Sequence, residues 1–430
     1  MTRSAVPTAP FDWHAGWRYG LMGLPLAFVA LPLYVTLPNH YATTFGVPLA
    51  TLGAVLLAAR LFDALIDPLL GRWSDRLFAQ SLRAALAWAA LACGVLGAGF
   101  ALLFFPPVHG PGALVLWATA CLVVTYAAYS AISILHQSWG ARLGGDEVQR
   151  SRVVAWREGL GLLGVVLASI APLALGLPAT AALFLIALGM GWWAWTAARP
   201  PPTGTAVGVE AGFSAGRPAS VWLPFTRPAF RALLAVFVVN GIASAVPATL
   251  ILFFVQDRLQ APASQQPLFL GSYFVSAAIA LPLWLRVVPH LGLARTWLLG
   301  MLLSMAVFVF ATQLGAGDTT AFLVVCVLAG VALGTDLALP GALLAGTIAA
   351  AGDRGRTEGA YFGWWNFATK LNLALAAGVA LPLLGLWGYT PGTRDPAALQ
   401  ALTTAYCLLP CALKAVAAVL LYTLIIRKTP

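Results

Sequence analysis

The sequence predicts an all-α membrane protein with twelve transmembrane helices in two six-helix bundles. Three observations carry that prediction. Of 430 residues, 60% are hydrophobic and only 9% charged, with a mean hydropathy of +0.87, which neither a soluble enzyme nor a disordered chain shows. The apolar stretches recur at about the 20 residues that a helix needs to cross a bilayer. A polar gap then divides those stretches six and six. Short segments of alternating polarity, the signature of a membrane β-barrel, do not occur.

Taken in order, hydropathy places spans at 17–38, 47–71, 82–106, 112–143, 153–176 and 178–198, then at 230–256, 267–289, 292–314, 319–350, 359–385 and 400–426. The predicted domains are therefore a bundle over 1–198, a linker over 199–229 and a bundle over 230–430. The linker carries Pro200, Pro201 and Pro202, several Gly and Ser, and Arg217 and Arg227, a composition that does not propagate a helix. The polar first sixteen residues lack a cleavable signal pattern, so the first span is expected to be retained.

The net charge of +10 could suggest a nucleic-acid surface, but its placement argues for orientation instead. Of the 24 Lys and Arg, only Arg258 and Arg394 fall in odd-numbered loops, and Arg60, Lys370 and Lys414 at membrane depth. The others lie in or beside the N-terminus, the even-numbered loops and the C-terminal tail. This is the positive-inside pattern, with both termini cytoplasmic in a cell (inner) membrane and no nucleic acid implied. The five cysteines all sit in apolar spans, where they read as packing residues, with no metal site and no disulfide framework. No phosphate-cradling loop and no nucleophile elbow occurs, so neither ATP-driven transport nor enzymatic chemistry is indicated.

The charges at membrane depth are the chemical signal. Arg60, Asp63 and Asp67 stand at i, i+3 and i+7 in span two, on one helical face. Each costs about 2.5–3.5 kcal/mol on insertion scales, so such residues mark a wet path or a binding site. Pro68 has no N–H and releases the carbonyl of Ala64. Asp336 in span ten is charged at similar depth, either for a ligand or for a partner such as Lys414. His136 in span four could carry a proton or pack. Asn240 and Asn366 bring amides that need partners, and Asn366 and Lys370 are one turn apart. Tyr361, Trp364 and Trp365 could stack on a sugar ring or anchor the helix at the interface. Arg157, near the cytoplasmic end of span five, could meet substrate or snorkel.

Two six-helix halves are the major facilitator architecture, in which substrate and ion bind near the midplane and the halves rock. Gly71-Arg72-Trp73-Ser74-Asp75-Arg76, expected in the loop after span two, resembles that superfamily's Gly-x-x-x-Asp-Arg gating motif. The resemblance gives Gly71, Asp75 and Arg76 a role in holding the cytoplasmic side closed through charge and helix-end contacts. The stretch Arg286–Arg295 is a weak counterpart in the second half.

A narrower resemblance runs across most of the chain. Arg60-x-x-Asp63-x-x-x-Asp67-Pro68, His136-Gln137-Ser138-Trp139-Gly140, Trp156-Arg157-Glu158-Gly159, Gly334-Thr335-Asp336-Leu337-Ala338-Leu339-Pro340 and Gly363-Trp364-Trp365-Asn366-Phe367-Ala368-Thr369-Lys370 resemble the glycoside-pentoside-hexuronide cation symporters. That resemblance implies Asp63 and Asp67 as coupling-cation carboxylates, Lys370 as the basic residue facing them, and Arg157 as a substrate arginine. It departs at Ala27 and Ser130, which stand where sugar-binding members of that family have aspartates, and at Ile66 and Ala127, which replace neutral oxygen ligands of their sodium site.

The expected activity is cation-coupled symport of a small organic solute, a sugar or glycoside, by a monomer that needs no cofactor beyond the coupling ion. Two carboxylates one turn apart repel until a proton or cation stands between them. Sodium would need further oxygens, which the departures remove, so the proton is favoured over sodium. Movement of a lysophospholipid or other amphiphile, export by exchange, and a non-transporting assembly or sensor role on the same fold are the alternatives.

Overall fold

The computed structural model describes residues 11–202 and 220–428, and within them the regular structure is helical. Ten helical stretches are long and apolar enough to cross a bilayer. Gln266–Ala311 contains two crossings, because Gly292 adopts φ 76°, ψ 167° and breaks it. Leu49–Gln80, the 32-residue helix that carries the Arg60 face, completes twelve. In chain order they are α1 (Trp13–Phe45), α2 (Leu49–Gln80), α3 (Leu82–Phe104), α4 (Pro111–Leu143), α5 (Glu147–Ala174), α6 (Gly176–Thr196), α7 (Pro228–Arg258), α8 (266–291), α9 (293–311), α10 (Thr319–Ala350), α11 (Glu358–Leu386) and α12 (Pro396–Lys428).

Local chemistry sets the helix starts. Side-chain oxygens of Asp12, Ser81, Asp146 and Asp395 accept from backbone N–H groups three residues on, at 2.8, 3.0, 2.8 and 2.9 Å, satisfying donors that the first turn leaves open. Pro111, Pro228 and Pro396 begin α4, α7 and α12, where a missing N–H costs nothing.

The helices gather into two compact units. One holds α1–α6 together with Ile348–Phe362; the other holds Trp222–Thr347 and the chain from Gly363 onward. In the first unit α1 and α5 pack through glycines. A Cβ on Gly23 would lie 2.3 Å from the Arg157 carbonyl oxygen, and one on Gly164 2.1 Å from that of Leu24. With little hydrophobic drive between helices in lipid, such close backbone contact holds the pair. The core of this unit is aromatic, with Phe100 against Phe184 at 4.5 Å and Trp139 against Trp195 at 5.8 Å. In the second unit Phe254 stacks on Tyr406 at 4.2 Å and Phe269 meets Phe322 edge-on at 5.0 Å.

Two sequence expectations change. The Gly71–Arg76 motif is helical, not a loop: nothing after Pro68 breaks the helix until Ser81, which caps α3. The segment expected as linker ends in a 3-10 turn, Leu223–Thr226, whose Trp222 and Phe225 rings lie 4.8 and 4.9 Å from Trp364. Arg217 lies outside the described residues. The two odd-loop arginines tie down chain ends in the second unit, Arg258 through the Leu314 carbonyl (3.0 Å) and Arg394 through that of Asp257 (3.0 Å).

Candidate coupling, substrate and gating residues

On α2, Asp63 and Asp67 are almost fully buried, at 2% and 0% exposure. From α4, the Ser130 hydroxyl donates to Asp63 Oδ1 at 2.6 Å. A serine thus meets the Asp63 carboxylate with a neutral donor, where a second acid would repel it. Arg60 lays its guanidinium over the Tyr34 ring of α1, 3.5 Å from the centroid, a contact that stabilises a cation away from bulk water. Tyr126 of α4 stands 6.1 Å from Tyr34, ring to ring. Ala27 faces Gly161 of α5, where the two Cβ positions would be 3.5 Å apart, so this position packs helices and offers no polar group.

His136 and Arg157 lie elsewhere in the same unit. The His136 ring stacks on Tyr19 at 4.3 Å and meets Trp195 edge-on at 4.9 Å. Its Nε2 is 2.8 Å from the Tyr19 carbonyl, which makes Nε2 the protonated nitrogen. Tyr19 returns a hydroxyl donor to the His136 carbonyl at 3.0 Å. The two residues clasp α1 to α4. Arg157 is ion-paired with its neighbour Glu158, so α5 presents a compensated pair rather than a bare cation.

In the second unit, Asp336 of α10 is the centre of a network drawn from four helices. Oδ1 accepts from Asn240 Nδ2 of α7 (3.0 Å) and Trp297 Nε1 of α9 (2.8 Å). Oδ2 accepts from Ser244 Oγ (3.1 Å) and Lys414 Nζ of α12 (2.9 Å). Lys414 also donates to Asn240 Oδ1 at 2.9 Å. One negative and one positive charge are held together with both carboxylate oxygens engaged. Pro340, four residues on in α10, leaves the Asp336 carbonyl without its helical donor. Trp365 is buried with its ring stacked on Phe237 at 3.7 Å; Asn366 and Lys370 are half-buried on α11.

The Gly71–Arg76 motif meets the start of α11 inside the first unit. Asp75 accepts from the backbone N–H groups of Gly359 (2.7 Å) and Ala360 (2.9 Å), the first-turn donors of α11, where the helix dipole favours an anion. Gly359 allows the approach: a Cβ there would lie 2.1 Å from the Gly71 carbonyl oxygen. Arg142, in the last turn of α4, reaches Asp75 Oδ1 (3.2 Å) and Glu358 Oε2 (2.9 Å), donates to the Gly355 carbonyl (3.1 Å) and covers the Phe78 ring at 4.3 Å. Arg354 donates to the Arg142 carbonyl (3.2 Å), and Tyr361 donates to Asp353 Oδ2 (2.6 Å). Arg76 is exposed. Burial pushes the Asp75 carboxyl up to about 7; Arg142 and the two backbone N–H groups oppose that rise, and Glu358 adds to it.

Sequence reasoning missed Arg142, Glu358, Tyr34 and Trp297. The first two had a weak signal, a basic residue in the last turn of one helix and an acid opening another, both of which complement helix dipoles. The aromatic pair had none, because tyrosine and tryptophan are common throughout membrane helices.

Fold and geometry define a helical multi-pass membrane protein, with buried acids on proline-containing helices and a charge cluster where α2 and α4 meet the start of α11. The chain belongs to the MFS/sugar transport protein family, which it matches over residues 18–199 and 220–428. Among curated proteins it is 24% identical over 148 residues to an Escherichia coli K12 protein named "Putative glycoside/cation symporter YagG"; the match spans 34% of this chain and about a third, 32%, of that protein. Among solved structures it resembles a bacterial homologue of the iron transporter ferroportin in its outward-facing state, with a TM-score of 0.67, 15% identity, and coverage of 94% of this chain and 99% of that one. The same homologue soaked with iron gives 0.66 and 15%, covering 95% and 98%. At that identity the likeness concerns the fold alone, the major facilitator fold.

Proposed function

We propose that this transporter moves a small organic solute, a sugar or glycoside, by alternating access in symport with a cation, and that the cation is a proton. The observation that supports this most is the burial of Asp63 and Asp67 one turn apart on α2, where a membrane helix gains no stability from two acids. The glycoside/cation symporter name of the partial relative agrees with it. Asp63, Asp67, Arg60 and Lys370 form the coupling set; Arg157, Asn366, His136, Asn240, Trp365 and Asp336 form the candidate substrate set; Gly71, Asp75 and Arg76 form the gate, acting through the start of α11. The protein works as a monomer with both termini in the cytoplasm.

The test is a solute panel on purified protein in liposomes, with pH and sodium gradients imposed separately. Uptake of a sugar or glycoside driven by the pH gradient is expected. Uptake driven by sodium and indifferent to pH overturns the choice of ion, and no uptake of any sugar or glycoside overturns the solute class. Asp63→Asn and Asp67→Asn should each abolish gradient-driven accumulation while solute exchange persists; normal accumulation in both rejects the coupling role.

A further inference from the structure

The clamp at the start of α11 holds more negative charge than it holds buried positive charge. Asp75 and Glu358 are 9% and 0% exposed, and both turn to the single buried guanidinium of Arg142, at 3.2 and 2.9 Å. Arg354 from the segment before α11 also acts on Glu358; Asp353 lies in the same segment, and Arg72 and Arg76 neighbour Asp75 along α2. Arg354 and Arg76 are exposed and therefore strongly screened; Asp353 is occupied by the Tyr361 hydroxyl. The two carboxylates differ in what they receive. Asp75 accepts two backbone N–H groups, and Glu358 Oε1 accepts from Gly355 N. Glu358 Oε2, fully buried, has the ion-pair contact with Arg142 but no hydrogen bond among the described residues. A buried carboxylate oxygen in that state is costly, and a proton relieves it. Two carboxyl groups sharing one cation retain a proton for the same reason that any close acid pair does.

We infer that Asp75 and Glu358 together bind one exchangeable proton while the α2–α4–α11 clamp is closed, and release it when the clamp opens. This rests on the gating reading above and deepens it by giving the gate a proton site of its own, separate from Asp63 and Asp67. The direction follows from linkage. Once the clamp opens, both acids meet water and return to ordinary carboxylate values, about 4. The closed clamp therefore binds the extra proton between about pH 4 and the raised value of about 7. Acid favours closure, and the clamp loosens as pH rises through that window, with no further change above its upper end. Each opening then releases one proton to the compartment the clamp faces, and each closure takes one up again.

Hydrogen exchange read by mass spectrometry tests this without any solute, on the full chain in lipid nanodiscs, with rates corrected for intrinsic exchange. Peptides covering 352–362 should lose protection as pH rises from about 4 to about 7, by about tenfold per pH unit for a one-proton linkage, and show no further change above it. Asp75→Asn and Glu358→Gln each leave one acid for Arg142, so each should move the upper end of that window to lower pH by about one unit or more. Flat protection across the window in the parent, or an upper end unmoved in either variant, overturns the shared proton. Either result leaves the Asp63 and Asp67 transport test standing, so the two readings fail separately.

Discussion

Two buried charge clusters, one in each unit, share the same ingredients and differ in their balance. Asp336 faces Lys414 one to one, with Asn240, Ser244 and Trp297 filling its remaining acceptor sites. In the clamp, Asp75 and Glu358 face Arg142 two to one, with a backbone terminus as the further partner. A balanced, fully hydrogen-bonded pair holds its charges fixed, because moving either proton strands the other partner in low dielectric. An unbalanced one can exchange a proton at modest cost. Burial alone therefore does not say how readily an acid exchanges a proton; charge balance also bears on it.

The largest break in this comparison should come from Lys414→Met. It strands Asp336 among apolar helices and is expected to lower stability by about 3–5 kcal/mol, read as thermal unfolding in detergent. Adding Asp336→Leu should recover most of that loss. If the single variant is as stable as the parent, the pair is not the fixed lock described.

Gly359→Ala is expected to cost less, about 1–3 kcal/mol as an overpacking clash, because its Cβ meets the Gly71 carbonyl. It should spring the clamp, giving fast hydrogen exchange over 352–362 at every pH. Protection equal to the parent would show that α2 and α11 do not approach as closely as described. Trp297→Phe sharpens the other side of the comparison. It removes one of four donors to Asp336, for about 1.5 kcal/mol, and should leave exchange at the clamp unchanged. Ser130→Ala is expected to be smallest in stability, about 1 kcal/mol. Its loss of a donor to Asp63 should lower gradient-driven accumulation, measured in the same liposomes as the gradient assay, and unchanged accumulation would show that this hydrogen bond does not serve coupling.

Much of this was legible in the residues. Spacing at i, i+3 and i+7 placed Arg60, Asp63 and Asp67 on one helical face, and hydropathy found the twelve crossings, because both depend on periodicities that a helix imposes locally. The motif at Gly71 was visible, but its helical state was not, since hydropathy ends a span where charges begin while the backbone continues until a cap or breaker. Lys414 could be suggested as the partner of Asp336 because membrane-depth charges are few. Arg142 could not be matched to Glu358 and Asp75: polar residues at helix ends are plentiful, and nothing local singles out those that meet.

The amino-acid order by itself determined the number of membrane helices, the direction of the charge bias and which acids sit at depth, since each follows from transfer free energies summed along a short window. Only the tertiary structure decided which charges share a partner. Asp75 reaches amides 284 and 285 positions away, and Lys414 reaches an acid 78 positions away. Pairing energies fall off over a few ångströms, so they are set by how helices pack, a quantity that no local window of sequence contains.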